Sequence, residues 1–412
     1  MTNVEQSATM QPADLVLAVN AGSSSLKFEL FAVGPPLRSR VRGAIDDLGR
    51  RSCALRFDGG GHEALRGPLE PAAAAEHVLD RLFSGAFGAD AAPQRLLATV
   101  HRVVHGGAAF SAPVRVTAEV ADQLRALGSL APLHNPPAIA VMDAVRARLG
   151  SVPSWAVFDT AFFRDLAQHV KAYAVPAHWR ERFAIERYGF HGIAHEYLAT
   201  RVAQLSRRPP RRLLTLQLGQ GCSITALADG KPVETSMGFS PLEGLIMGTR
   251  PGDLDAGILL HLARQGVPWA SLEQALYRES GLLALSAVTD DMRELLRLEA
   301  QGHGGAELAV AAFCHRLCKY MGAYTAVLGG VDAIAFGGGI GEHAPSIRAR
   351  VCRRLEWLGL NFDEAANERA VGMEARVSGE DSAVEVYCVP VREEEIMARA
   401  ALNRLHNTEE TA

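Results

Sequence analysis

The chain has 412 residues, 48% of them hydrophobic and 21% charged, the proportions of a soluble globular protein long enough for two or three domains. Its 42 basic and 46 acidic residues give a formal net charge of −4, which argues against a nucleic-acid or other polyanion-binding surface. The 39 glycines follow no period, so a collagen-like chain is excluded as well.

The polar leader of about a dozen residues has neither the basic nor the apolar region of a signal peptide. Residues 15–19 (LVLAV) are a β-prone run ending in Asn20-Ala21-Gly22-Ser23-Ser24-Ser25, and residues 26–31 (LKFELF) resume with alternating polarity. Strand, tight turn, strand is the simplest reading. Residues 34–71 read as further short strands with turns, and residues 72–83 as a helix. An apolar strand at 96–104 runs into His105-Gly106-Gly107. Thr117 can cap a helix reaching about residue 127, and Pro136-Pro137 opens another that Gly150 stops. Residues 154–158 form a strand ending at Asp159.

The run Arg207-Arg208-Pro209-Pro210-Arg211-Arg212 reads as an exposed connection and a candidate subdomain boundary. Residues 213–218 and 224–227 are strands around Gly219-Gln220-Gly221-Cys222-Ser223, which repeats the design of the first hairpin. The apolar stretch 307–328 is broken by His315, Arg316 and Lys319, so it reads as a buried helix rather than a bilayer span. A third apolar run, 333–336, ends in Gly337-Gly338-Gly339-Ile340-Gly341 and opens onto a helix from about 345 to 358. Two similar hairpins with helices between them imply a duplicated α/β architecture, whose ligands collect between the halves.

Six scattered cysteines without a Cys-x-x-Cys pair fit a reducing, cytoplasmic setting, and Cys314 and Cys318 read as packing residues. Glycine and serine in the turns let backbone N–H groups approach an anion, and alternation returns Lys27 to the face of the first turn. Neither a Walker nor a Rossmann glycine pattern is present. Arg102 within an apolar strand and Arg250 in MGTRPGD need anionic partners, which either a ligand or an internal carboxylate would supply. His191, flanked by glycines in YGFHG, is open to a structural or a functional role. Asp159 ends a strand, where α/β folds place functional carboxylates, although a cap or turn role fits equally. Glu393, Glu394 and Glu395 fit a helix's first turn or a Mg2+ ligand, whereas Asp253 reads as an N-cap.

Together these stretches resemble the acetate kinase family, within the acetate and sugar kinase/actin-like superfamily. VNAGSSSLKF, HRVVHGG, PLHNPP, FDTAF, RYGFHG, LGQG, MGFSPLEGLIMGTRPGDLD, DMR, GGGIGE and EEEIMAR follow the family's order over nearly the whole chain after the leader. The resemblance implies a duplicated actin-like, ribonuclease H-like α/β fold with a cleft between two domains. One would handle the acyl and phosphate groups (residues 1–162 plus a C-terminal helix, 394–412). The other, residues 163–393, would bind nucleotide and form a homodimer. The implied reaction is reversible, ATP-dependent phosphorylation of acetate to acetyl phosphate and ADP by direct in-line transfer. Mg2+ would be the metal, with Mn2+ able to replace it, and no membrane partner is implied.

By the same resemblance Asp159, His191 and Arg250 are catalytic, with His191 on the equatorial oxygens of the phosphoryl group. Arg102 shares the anionic groups with Arg250, and Val104, Leu133, Phe190 and Pro241 form the acyl pocket. Asn20 and Glu393 help hold the metal. Ser23, Ser25 and Lys27 line the phosphates, and Gln217, Leu218, Gly219, Gln220 and Gly221 line the nucleotide site. So do Asp291, Met292 and Arg293, and Gly339, Ile340, Gly341, Glu342 and His343. The chain departs from the family's HLGNG at Gln217 and Gln220, and it has Phe163, Ile193-Ala194, His343 and Arg392 where the family usually differs. Gln220 keeps an amide but adds a methylene, which bears on the phosphoryl donor. A propionate or other short-chain acyl kinase, a kinase using another donor, and an inactive actin-like nucleotide-binding protein remain as alternatives. The intact Arg102, Asp159, His191 and Arg250 argue against the last. A carboxylic acid with a pKa of ~4–5 is already ionised at neutral pH, so the nucleophile needs no strong base. The site must instead overcome repulsion between a carboxylate and a triphosphate.

Overall fold

The computed structural model describes residues 14–22, 25–50, 52–87, 91–131 and 134–409. Its first sheet is built on β1 (Leu15–Ala21), whose seven residues are all buried, and β2 (Ser25–Ala32), which pairs with it antiparallel. The strands β3 (Arg38–Asp46), β4 (Ser52–Phe57) and β5 (Gly61–Arg66) continue the antiparallel meander. On the other side of β1, β6 (Leu96–Val103) adds in parallel. A short β7 (Val114–Arg115) pairs antiparallel with β8 (Ser154–Phe158), which itself runs parallel to β6. The order is β5-β4-β3-β2-β1-β6-β8-β7. Apolar residues of helices Pro71–Phe83 and Asn135–Leu149, among them Val78, Leu82, Val141 and Val145, join Leu17, Phe28 and Leu30 in one core.

The second sheet repeats this plan. The strand β9 (Arg212–Leu218) pairs antiparallel with β10 (Cys222–Ala228), and β10 with β11 (Lys231–Thr235). Across β9 lie β12 (Ala333–Gly337) and then β14 (Glu385–Cys388), both parallel to it, with β13 (Ala375–Arg376) antiparallel at the edge. The order β11-β10-β9-β12-β14-β13 matches β3-β2-β1-β6-β8-β7 strand for strand. The duplication implied by the two hairpins is therefore present in the topology. Central strands flanked by parallel neighbours are buried on both faces, which is why they read as continuous apolar runs.

The described residues divide into two units. One takes those within Met1–Gly106, Ala112–Phe158 and Glu394–Ala412, and the other takes Gly107–Ser111 and Asp159–Glu393. The chain passes between the units at 106/107, 111/112, 158/159 and 393/394.

Four local expectations need correction. The RRPPRR run lies inside the second unit, between helix Gly192–Leu205 and β9, so it is no subdomain boundary. Arg211 pairs with Asp229 at 3.0 Å and Arg212 with Asp332 at 2.5 Å, which anchors the start of β9. Asp253 is not a helix N-cap. Asp255 caps helix Ala256–Arg264 by accepting from Gly257 N at 2.8 Å, while Asp253 accepts from Gly244 N and the Tyr320 hydroxyl. Helix Gly304–Leu328 is buried on one face only, through residues such as Val310, Phe313, Leu317 and Met321; Leu308 and Val327 face solvent. Lastly, helical structure after β12 starts within the glycine run, as Gly338–His343, and continues as Pro345–Cys352 before a 3-10 turn.

Candidate active site

In the first unit Asn20, next to last in β1, is almost fully buried and stands opposite Lys27 of β2. Directly opposed antiparallel residues share a face, so the exposed Lys27 does return to the turn's side. The turn closes with Gly22 N donating to Ser25 O at 2.8 Å. Ser23 and Leu133 lie outside the described residues. Arg102 projects from β6 and donates from Nη1 to Asn20 Oδ1 at 3.0 Å; Asn20 Nδ2 in turn donates to Glu394 Oε1 at 3.2 Å. Amide, guanidinium and carboxylate thus form one chain on three elements of this unit. Val104 is buried just beyond β6. Asn135, the Asn of PLHNPP, fastens the following loop by accepting from His105 N at 3.1 Å and donating to His105 O at 3.0 Å.

In the second unit Gly219 N donates to Gly221 O at 3.0 Å and closes the β9–β10 turn. A Cβ on Gly221 would lie 2.6 Å from Arg250 Nη2 and 3.2 Å from His191 Nε2. Arg250 and His191, 59 positions apart in the chain, therefore converge on this one glycine, and only glycine leaves room for both. Arg250 Nη1 donates to Pro241 O at 2.7 Å, so Pro241 orients the guanidinium through its backbone. The Arg250 loop is fixed to the turn by Gly248 N donating to Gln220 O at 3.1 Å. The longer side chain of Gln220 fits because position 248 is glycine, where a Cβ would come within 2.0 Å of Gln220 Oε1. Burial holds the Arg250 guanidinium below its ordinary pKa, yet a guanidinium stays charged in proteins. A desolvated cation of this kind favours an incoming phosphate or carboxylate.

His191 precedes helix Gly192–Leu205 in the left-handed region, with φ 58°. Its neighbours make that conformation workable. Gly189 also has positive φ, and a Cβ on Gly192 would strike Asp159 O at 2.1 Å. Gly192 N donates to Asp159 O at 2.9 Å, which joins YGFHG to the end of β8. Asp159 and Phe190 are buried. His191 Nδ1 lies 2.9 Å from Ser223 Oγ, and that oxygen lies 2.7 Å from Nε2 of the buried His195.

Among the remaining nucleotide candidates, the carboxylates of Glu342 and Asp291 serve the fold. Glu342 Oε1 accepts from Gly338 N at 2.8 Å and Val391 N at 3.1 Å; Asp291 caps helix Met292–Glu299 and pairs with the exposed Arg293 at 2.6 Å. Met292 and Gly341 are buried, Gly339 has open space at its Cβ position, Ile340 lies in the same short helix, and His343 is exposed. Leu218 is fully buried, while Gln217 Oε1 is buried without a hydrogen-bond partner among the described residues. Ser223, His195, Thr215 and Asn135 were not singled out from sequence as site residues, whereas Glu394 was, as one of three acids open to a helix's first turn or to Mg2+. For His195 a signal exists: it lies four residues after His191, in the same HGIAH stretch.

Among the described residues no group of three or more His, Cys, Asp or Glu side chains could hold a metal. Asn20 of the first unit carries an amide oxygen and Glu393 of the second a carboxylate, each a hard donor of the kind that binds Mg2+ together with substrate phosphates. The donor chemistry fits a divalent cation of that class.

The sequence profile of the acetokinase family matches residues 15–399. The acetate kinase of Deinococcus radiodurans is 42% identical over 391 residues, covering 93% of this chain and 96% of that protein. The crystal structure of Porphyromonas gingivalis acetate kinase matches with a TM-score of 0.87 at 35% identity, over 95% of this chain and 100% of that one. A propionate kinase from Francisella tularensis matches with a TM-score of 0.85 at 32% identity, over 94% of this chain and 98% of that one. The duplicated sheets, the ordered motifs and these matches agree: the chain belongs to the acetokinase family and has its actin-like fold.

Proposed function

We propose that this chain transfers the γ-phosphoryl group of ATP to acetate, giving acetyl phosphate and ADP, and that it runs the reaction in both directions. The observation that carries the reading is the convergence of Arg250 and His191 on Gly221. It supports a place where a phosphoryl group meets a guanidinium and an imidazole at once. Arg102 takes the acceptor carboxylate, with Asn20 fixing its guanidinium. The Glu393 carboxylate supplies oxygen to Mg2+, which when bound would neutralise part of the triphosphate's charge. Asp159 organises rather than deprotonates, because acetate arrives ionised. Phe190 and Pro241 of the second unit bound the acyl group, where one methylene is worth only ~1–3 kcal/mol; propionate is therefore the nearest competing substrate.

Among the described residues no helix is long and apolar enough to cross a membrane. The proposal includes a cytoplasmic homodimer joined through the second unit, supported by the exposed Leu254, Ile258, Leu260 and Trp269. The test supplies ATP, Mg2+ and acetate, propionate or butyrate, and traps acyl phosphate with hydroxylamine. Acetate should give the highest kcat/KM. Absence of hydroxamate from every acid contradicts the kinase reading, and preference for propionate contradicts the substrate.

A further inference from the structure

Behind His191 runs a buried polar chain of four side chains. Thr215 Oγ1 of β9 is 2.8 Å from His195 Nδ1; His195 Nε2 is 2.7 Å from Ser223 Oγ of β10; and Ser223 Oγ is 2.9 Å from His191 Nδ1. Thr215, His195 and Ser223 are fully buried. Burial holds His195 well below its ordinary pKa, so its ring is neutral, with one N–H and one bare nitrogen.

The proton count admits two directions. In the first, His191 Nδ1–H donates to Ser223, Ser223 donates to His195 Nε2, and His195 Nδ1–H donates to Thr215. That leaves the Thr215 hydroxyl proton buried with no acceptor among the described residues, a loss of about 1–3 kcal/mol. In the second, Thr215 donates to His195 Nδ1, His195 Nε2–H donates to Ser223, and Ser223 donates to His191 Nδ1. Every proton of the three relay residues then has an acceptor.

We propose that Thr215, His195 and Ser223 are positioning residues that hold His191 as the neutral tautomer protonated on Nε2. That nitrogen is the one beside Gly221 and Arg250. His191 then offers the phosphoryl oxygens an N–H donor whose direction is fixed in advance, while Arg250 brings the full positive charge. Pre-aimed donors of this kind need no reorganisation as charge develops. This inference deepens the proposed phosphoryl-transfer role of His191 and rests on it for its kinetic consequence, although the tautomer itself is independent of the reaction.

The test is a long-range 1H–15N correlation spectrum of the whole protein labelled in histidine, with His191 assigned from the signals lost in His191→Gln. Nδ1 of His191 should appear as the bare, hydrogen-bonded nitrogen and Nε2 as the protonated one. In Thr215→Val, which keeps shape and loses the terminal donor, the population protonated on Nδ1 should rise. Wild-type His191 protonated on Nδ1 overturns the proposal, even if the enzyme makes acetyl phosphate. Ser223→Ala should lower kcat on the order of 10²-fold with KM little changed, an effect of misaimed geometry. Adding it to His191→Gln should cost nothing further. A full additional loss in the double variant would mean that Ser223 acts independently of His191 and would contradict the relay.

Discussion

Arg102, Arg250 and His191 are polar side chains with a stated partner each, whereas His101 on the same strand as Arg102 is a buried imidazole with an unpartnered Nδ1 among the described residues. Burial, reinforced by Arg146, pushes His101 down to about 3. Its ordinary value is about 6.5, so below that pH the unfolded chain binds a proton that the folded one refuses. Stability from this residue is complete above pH 6.5 and falls as pH drops towards 3, by about 2 kcal/mol at pH 5. Denaturant unfolding at pH 7.5 and pH 5 should show a smaller loss for His101→Gln than for wild type by about that amount. Identical losses would contradict it. Composition and motif order pointed to Arg102, Arg250 and His191 as individuals. That two of them meet over Gly221 depends on chain separations that no local pattern encodes.

At the scale of elements, the hairpins were readable because alternation and a glycine turn are local signals. The helix Gly338–His343 was not, since three consecutive glycines disfavour a helix by propensity. Its own Glu342 carboxylate accepts from Gly338 N and ties the helix to the distant Val391 N. Likewise GDLDAG offers two aspartates for one cap, and Asp253 is drawn away by Tyr320 of a remote helix. Gly192 of YGFHG acts through contact rather than through propensity. A Cβ on Gly192 would meet Asp159 O at 2.1 Å and Phe162 Cβ at 2.8 Å, whereas one on Gly339 would meet nothing within 4 Å. Gly192→Ala should therefore cost about 3 kcal/mol or more of stability, while Gly339→Ala should be neutral or gain up to ~1 kcal/mol. Equal melting midpoints for the two variants would contradict this view of the loop.

Across the whole molecule, one topology used twice explains how the chain presents two glycine turns at equivalent strand ends. The near-neutral balance of −4 is compatible with handling ATP because few cations are needed when they are desolvated and aimed. Arg250 is the test of that economy. Replacing it changes the formal charge only from −4 to −5, one basic residue fewer against the same 46 acidic ones. If positive charge worked through the general field, turnover would change little. If it works where Arg250 meets His191, the chemical step should collapse. Steady-state kinetics of Arg250→Ala with acetate and MgATP, beside folded-state checks by circular dichroism, should give a kcat reduced on the order of 10³-fold and KM values within a few-fold of wild type. Near-normal kcat in a folded Arg250→Ala protein would contradict the account at its centre.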